Sequence, residues 1–299
     1  MITMHPAAPD QTLPARAPGG KAPRLPMTPA RRAWLAIGVP VCLVLVGWAG
    51  LNLVALVGQG QFKVSHDIPA RARRVNVNVN FSSGNILLQE VAGSQAKLTG
   101  TAHYSLIRPP FTTQVTAAGT DFGYNCNLPV GNCYLNAAVS VPRGTPTSEY
   151  TGGGNATAIG TTGDVTLTSD GGNVSAERVS GDLTLNTGGG NVSAERVSGD
   201  LTLNTDGGDI TATAITAARV IVSSGGGNIT VLFTSVPTNV KVNTDGGNIT
   251  IVLPPGSTHY NLTEHTDGGT TSGRVPTDSS SPNVITATSG GGNISVSQS

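Results

Sequence analysis

"GGNVSAERVSGDLTLNT" occupies residues 171–187 and recurs letter for letter at residues 189–205. A close-packed interior has no room for a second block of side chains laid beside the first, whereas a solenoid accepts such a block as one more coil. The wider pattern supports that reading. Gly-Gly followed by Asn or Asp, an apolar residue or Ala, and Ser or Thr places Asn155, Asn173, Asn191, Asp209, Asn228 and Asn248 at intervals of 18, 18, 18, 19 and 20. Weaker copies put Thr270 ("DGGTT") and Asn293 ("GGGNIS") at the equivalent place, and "SSGNILL" around Asn85 is an isolated early relative.

A second signal is offset by nine: "GDVTL" at Asp164, "GDLTL" at Asp182 and Asp200, "ARVIV" at Arg219 and "TNVKV" at Asn239. Each period therefore holds two short strands of alternating polarity. Periods near twenty residues with short strands and Gly-rich corners predict an all-β fold, a β-solenoid of parallel stacked strands spaced about 4.8 Å apart. Two apolar columns follow, Val174–Val192–Ile210–Ile229–Ile249 and Val165–Leu183–Leu201–Val220–Val240. The corner residues Gly172, Gly190, Gly208, Gly227 and Gly247 are expected to adopt positive φ, which glycine reaches without a Cβ penalty. Beside them Asn173, Asn191, Asp209, Asn228 and Asn248 are expected to hydrogen-bond along the stack, a structural role.

The 299 residues carry 17 basic and 17 acidic side chains, only 11% charged, so no net field draws in nucleic acid or a strongly charged substrate. Three zones precede or form the repeat. Residues 1–32, rich in Pro, Ala and Gly with five basic residues against Asp10, read as a disordered cytoplasmic tail. Residues 33–57 contain no charge and exceed the roughly 20 positions that span a bilayer, so they read as an uncleaved single-pass anchor of the plasma membrane. Arg31 and Arg32 abut it, which places the N-terminus inside. Residues 58–74 are a linker, and 75–299 the extracytoplasmic β-repeat domain. "SGRVPTDSSSPNV", within residues 271–289, reads as a loop inserted between the last coils. It and "LIRPPFTTQ" (106–114) are the segments placed to serve as binding loops.

Cys42 falls in the span, while Cys126 and Cys133 in "CNLPVGNC" are placed to close a disulfide in an oxidising compartment, free thiols being the alternative. No nucleophile elbow, zinc-protease helix or phosphate-binding loop is present in the sequence. Glu177 and Glu195, eighteen apart, have the residue type of a sugar-cleaving carboxylate pair, but with Arg178 and Arg196 they read as a solvated ladder copied with the coil. The Asp164–Asp182–Asp200 column offers oxygens to calcium or caps turns; the nonapeptide calcium pattern is absent from the sequence. No cofactor, metal or small-molecule substrate is expected.

"AAVSVPRGTPTSEYTGGGNATAIG", the "SGDLTLNTGGGNVS" coils and "VKVNTDGGNITIVLPPG" together resemble a bacterial envelope family known as "putative adhesin", a β-strand-repeat domain of unknown function, over residues 75–299. Membership implies a surface role without catalytic residues. The expected protein is a membrane-anchored, non-catalytic envelope module that contacts wall polymer or a surface protein. The alternatives are a regulatory protein signalling envelope stress through its basic tail and a polysaccharide-cleaving β-helix enzyme.

Overall fold

The computed structural model describes residues 34–68, 74–80, 84–105, 107–116, 119–125 and 133–299. The basic tail, residues 1–32, lies outside them. Residues up to Gly50 and those from Leu51 onward form separate units. A π-turn over Trp34–Gly38 leads into helix α1, Val39–Val57. At 1.5 Å per residue α1 is about 28 Å long. Leu43, Val44, Val46 and Trp48 are all exposed, and a helix apolar on every side calls for apolar surroundings. This is the one helix among the described residues long and apolar enough to cross a membrane.

The described residues from Gln59 onward form twenty-three strands in two sheets. In one sheet β9 (Ala156–Ile159), β11 (Val174–Val179), β13 (Val192–Val197), β15 (Ile210–Ile215), β17 (Ile229–Phe233) and β19 (Ile249–Leu253) stack in parallel. In the other β8 (Thr147–Thr151), β10 (Val165–Ser169), β12 (Leu183–Thr187), β14 (Leu201–Thr205), β16 (Arg219–Ser224) and β18 (Asn239–Thr244) do the same. Both apolar columns are in the register the period predicts, and each member is buried.

At the two ends the stack departs from chain order. After β19 the chain runs outward to β20 (Asn261–Thr266) and β21 (Thr271–Arg274), and then returns. Its last coil, β22 (Val284–Ser289) with β23 (Ile294–Gln298), is seated between them and β18/β19. The other end mirrors this: β2 (Val75–Asn80) and β3 (Ile86–Val91) lie between β8/β9 and the coil of β6 (Thr120–Asn125) and β7 (Tyr134–Pro142). Beyond that coil three antiparallel strands close the end: β4 (Ala96–Ser105) on β7, β1 (Gln59–Ile68) on β4, and β5 (Phe111–Val115) on β6.

Three sequence expectations change. Residues 59–68, read as linker, are a ten-residue strand whose inward positions, Phe62, Val64 and Ile68, are too sparse to signal one. The segment read as an inserted loop contains β21 and the start of the returning coil. Asn293 stacks on Asn248, and Thr270 comes after it. A threonine suits that outermost rung, because it donates both its N–H (2.9 Å) and its hydroxyl (3.0 Å) to Asn293 Oδ1 and has no further coil to accept from.

The corners hold the coils together. Each Asn or Asp side chain accepts the backbone N–H of its counterpart one coil on: Asn155 Oδ1 from Asn173 (2.9 Å), Asn173 from Asn191 (2.8 Å), Asn191 from Asp209 (2.9 Å), Asp209 from Asn228 (2.8 Å) and Asn228 from Asn248 (3.0 Å). Asn85 joins the ladder beneath Asn155 (2.9 Å) and itself donates to Asn136 Oδ1 (3.0 Å). Inside, a buried hydroxyl column does a second job. Thr187 donates to Gly172 O of the previous coil (2.7 Å) and accepts the N–H of Gly190 three residues on (3.2 Å); Ser169, Thr205, Ser224, Thr244 and Ser289 repeat both bonds. A buried hydroxyl so satisfied stabilises by about 1 kcal/mol and would cost more than that unpaired.

The reason for the corner glycines also changes. Positive φ occurs at Gly144, Gly160 and Gly256, none of them in the ladder. Close approach decides instead: a Cβ on Gly172, Gly190, Gly208, Gly227 or Gly247 would lie 1.9–2.2 Å from the carbonyl oxygen of the coil before.

The residue after each buried hydroxyl alternates along the stack. In spatial order the sequence is Asp170, Gly188, Asp206, Gly225, Asp245, Gly290, Asp267, a regularity that chain order conceals. A Cβ on Gly188, Gly225 or Gly290 would meet the carbonyl oxygen of the preceding aspartate at 2.2–2.4 Å, and adjacent carboxylates would repel. Deleting residues 171–188 removes one coil but sets Asp206 on Asp170. The shortened chain is expected to fold with its melting point below that of the same deletion carrying Asp206→Gly. Equal melting points by circular dichroism would show that the alternation has no energetic role.

Candidate functional site

The repeat faces carry little chemistry. Glu177 bonds both Arg178 and Arg196, and Arg196 bonds Glu195, all part-exposed; such ladders are worth little. Arg178 and Arg196 sit at φ 57° and 55°, as does Ala214 at 53°, which marks a kink repeated over three coils. Asp164 Oδ1 accepts the N–H of Asp182 (3.1 Å), Asp182 that of Asp200 (3.0 Å), and Asp200 pairs with Arg219 (2.8 Å), so the second aspartate column caps turns. Among the described residues no three His, Cys, Asp or Glu side chains converge as a metal-binding group. Cys133 is disulfide-bonded; Cys126, its expected partner, lies outside the described residues, and Cys42 is free. His265 contacts Asp267 at 3.1 Å on the exposed outermost coil.

The antiparallel end is different, because the rings of Phe62, Tyr104, Phe111, Phe122, Tyr124 and Tyr134 gather there. Gly60 leaves space for Tyr104, whose ring a Cβ would meet at 2.5 Å, and Tyr104 packs 6.0 Å from Phe62. The Arg108 guanidinium lies 3.9 Å from the Phe62 ring centroid, a cation–π contact. His66 stacks on Phe111 (4.6 Å), Phe111 packs against Phe122 (6.0 Å), and His103 stacks on Tyr134 (4.4 Å). The buried Tyr124 donates to His103 O (3.2 Å), and burial pushes its hydroxyl pKa up to about 12 although Arg108 opposes the shift.

These contacts frame a groove of about 460 Å³. One wall is the consecutive run Phe62–His66 of β1; the other is Arg108–Phe111, where two prolines hold the chain extended before β5. A broader trough of about 730 Å³ shares Lys63 and Ser65 and continues over β4, β7 and β3 past Thr101 and Leu87. β1 is last in its sheet, so among the described residues one of its edges has no partner strand. The wall Arg108–Phe111 belongs to one of the two segments that the sequence marks as binding loops. The other wall is not foreseen there; the alternation of Phe62, Val64 and Ile68 beside Lys63 is the only trace of it.

A family model described as Toastrack DUF4097 matches residues 139–297. Solved structures of similar fold include a "putative adhesin" from Parabacteroides distasonis, at 12% identity and TM-score 0.48 over 79% of this chain and 97% of that one. Another from Parabacteroides merdae shows 14% identity and TM-score 0.45 over 80% and 95%. A third from Bacteroides fragilis shows 13% and 0.43 over 80% and 97%. No functionally curated protein matches the chain.

Proposed function

Because the chain belongs to the Toastrack DUF4097 family, we propose that it is an adhesin-like, non-catalytic envelope module, anchored by α1 and contacting its target through the aromatic end of the stack. The observation that carries this is the groove beside the unpaired edge of β1. There, aromatic rings, extended backbone and two cations are concentrated within nine residues. The apolar α1 supports membrane anchoring, and the arginines before it support an internal N-terminus.

The test uses the full chain reconstituted in neutral liposomes and incubated with isolated cell-envelope fragments. Retention is expected for the wild type and at least tenfold less for a Lys63→Glu, Arg108→Gln double variant. Equal retention of the two would overturn the assignment of the contact surface, and no retention of either would overturn the adhesin-like reading itself.

A further inference from the structure

We propose that the free edge of β1 takes up an extended acidic peptide segment of another protein as an added strand. This rests on the reading that the aromatic end is the contact surface.

Three observations converge. First, β1 is ten residues long and among the described residues pairs on one side only, with β4, so its other edge presents backbone donors and acceptors along the groove; such an edge is a template for strand addition. The second wall, Arg108–Phe111, encloses the space where an added strand would lie.

Second, the groove is charged in one sense. Lys63 and Arg108 line it, no acidic residue does, and neither cation is in an ion pair among the described residues. Elsewhere Lys97, Arg143, Arg178, Arg196 and Arg219 each pair with a carboxylate. Asp67, the acid nearest along β1, is taken by Lys97 at 3.8 Å. With the Arg108 guanidinium resting 3.9 Å over the Phe62 ring, the side chain is already partly held in place, and less freedom is lost when a carboxylate binds.

Third, the opposite end of the stack is built against strand addition. β21 has only four residues, and β20 carries Glu264 facing inward, where it fills the space over Gly273. One Glu264 oxygen is already buried without a partner, so a strand added there would bury a charge. Lys63, by contrast, favours a partner strand of opposite sign.

The experiment measures fluorescence anisotropy of three labelled peptides on the full chain in detergent micelles. The first alternates Glu and Val; the second replaces Glu by Gln; the third is the first with every second amide N-methylated, which leaves its charge but removes donors along one edge. The acidic peptide is expected to bind at least tenfold tighter than either of the others. Lys63→Glu, whose exposed side chain makes no core contact, is expected to lower its affinity about tenfold or more with an unchanged circular dichroism spectrum. Equal binding of the N-methylated peptide would reduce the interaction to charge adsorption and overturn strand addition. Equal binding of the Gln peptide, or an unaffected Lys63→Glu variant, would overturn the acidic specificity. If no peptide binds while the liposomes are still retained on envelope fragments, the peptide proposal fails and the contact surface stands; loss of both removes the two together.

Discussion

Gly190→Ala is expected to destabilise the protein by about 3 kcal/mol or more, and Gly189→Ala, one residue earlier, to leave it unchanged or slightly more stable. At Gly190 an added Cβ would lie 2.2 Å from Gly172 O and 2.4 Å from its carbonyl carbon, both rigid backbone of the preceding coil. Neither atom can give way without breaking the N–H bonds that join the two coils on either side of the corner, such as Val174 to Asn191 O at 3.0 Å. At Gly189 nothing lies within 4 Å, and φ is not in the positive range that disfavours a side chain. Chemical denaturation of the full chain in micelles measures both. Comparable losses at the two positions would mean that local backbone freedom, and not contact between coils, selects the glycines.

The second large effect concerns Glu149. Its strand β8 alternates Thr147, Glu149 and Thr151 into the interior, and Glu149 stacks between Val77 and Leu167 with only 1% of its surface exposed. Neither carboxylate oxygen has a hydrogen-bond partner. Burial alone pushes its pKa up to about 8, with no charged neighbour contributing. A carboxyl whose pKa is higher in the folded than in the unfolded chain is stabilising when protonated. That contribution is complete below the unfolded value near 4.5 and is lost as the pH rises through about 8. The loss is on the order of 3–5 kcal/mol across that window. Glu149→Leu removes the titration and continues the aliphatic column formed by Leu167, Leu185 and Leu203. The variant is expected to be more stable than the wild type already at pH 4.5, where the protonated carboxyl is still without a hydrogen-bond partner, and its advantage is expected to grow by that amount by pH 8. A difference between the two proteins that stays constant from pH 4.5 to 8 would mean that Glu149 remains ionised in the folded state.

How much of this is legible in the sequence depends on whether a residue's role repeats. Val174, Val192 and Ile210 can be placed in one column because their spacing is the period itself. Asn173 and Asn191 can be placed in the ladder for the same reason. The hydroxyl column of Ser169, Thr187 and Thr205 repeats equally well, yet a short polar residue beside glycines reads as a turn, and only its burial reveals the bonds it makes. Glu149 escapes for the opposite reason: it occurs once, and a charged residue in a strand is ordinarily assigned to the solvent face. β1 escapes because a lone antiparallel strand has no counterpart to be compared with. The groove then needs two segments more than forty residues apart in sequence, Phe62–His66 and Arg108–Phe111, and no local pattern joins them.

The returning coil has a mechanical consequence. An array of coils joined only to neighbours tends to fray from its ends, since a terminal coil has one interface to lose. Here the outermost coil, β20/β21, is not the last in the chain, and the last, β22/β23, is gripped on both sides. Peeling either one off disturbs the other, so the final three coils should open as one unit; the same holds at the far end, where β2/β3 is gripped between β6/β7 and β8/β9. The locks act like a stitch sewn back through its own row: they protect the array from unravelling under tension, at the cost of long-range contacts that must form before either end is secure.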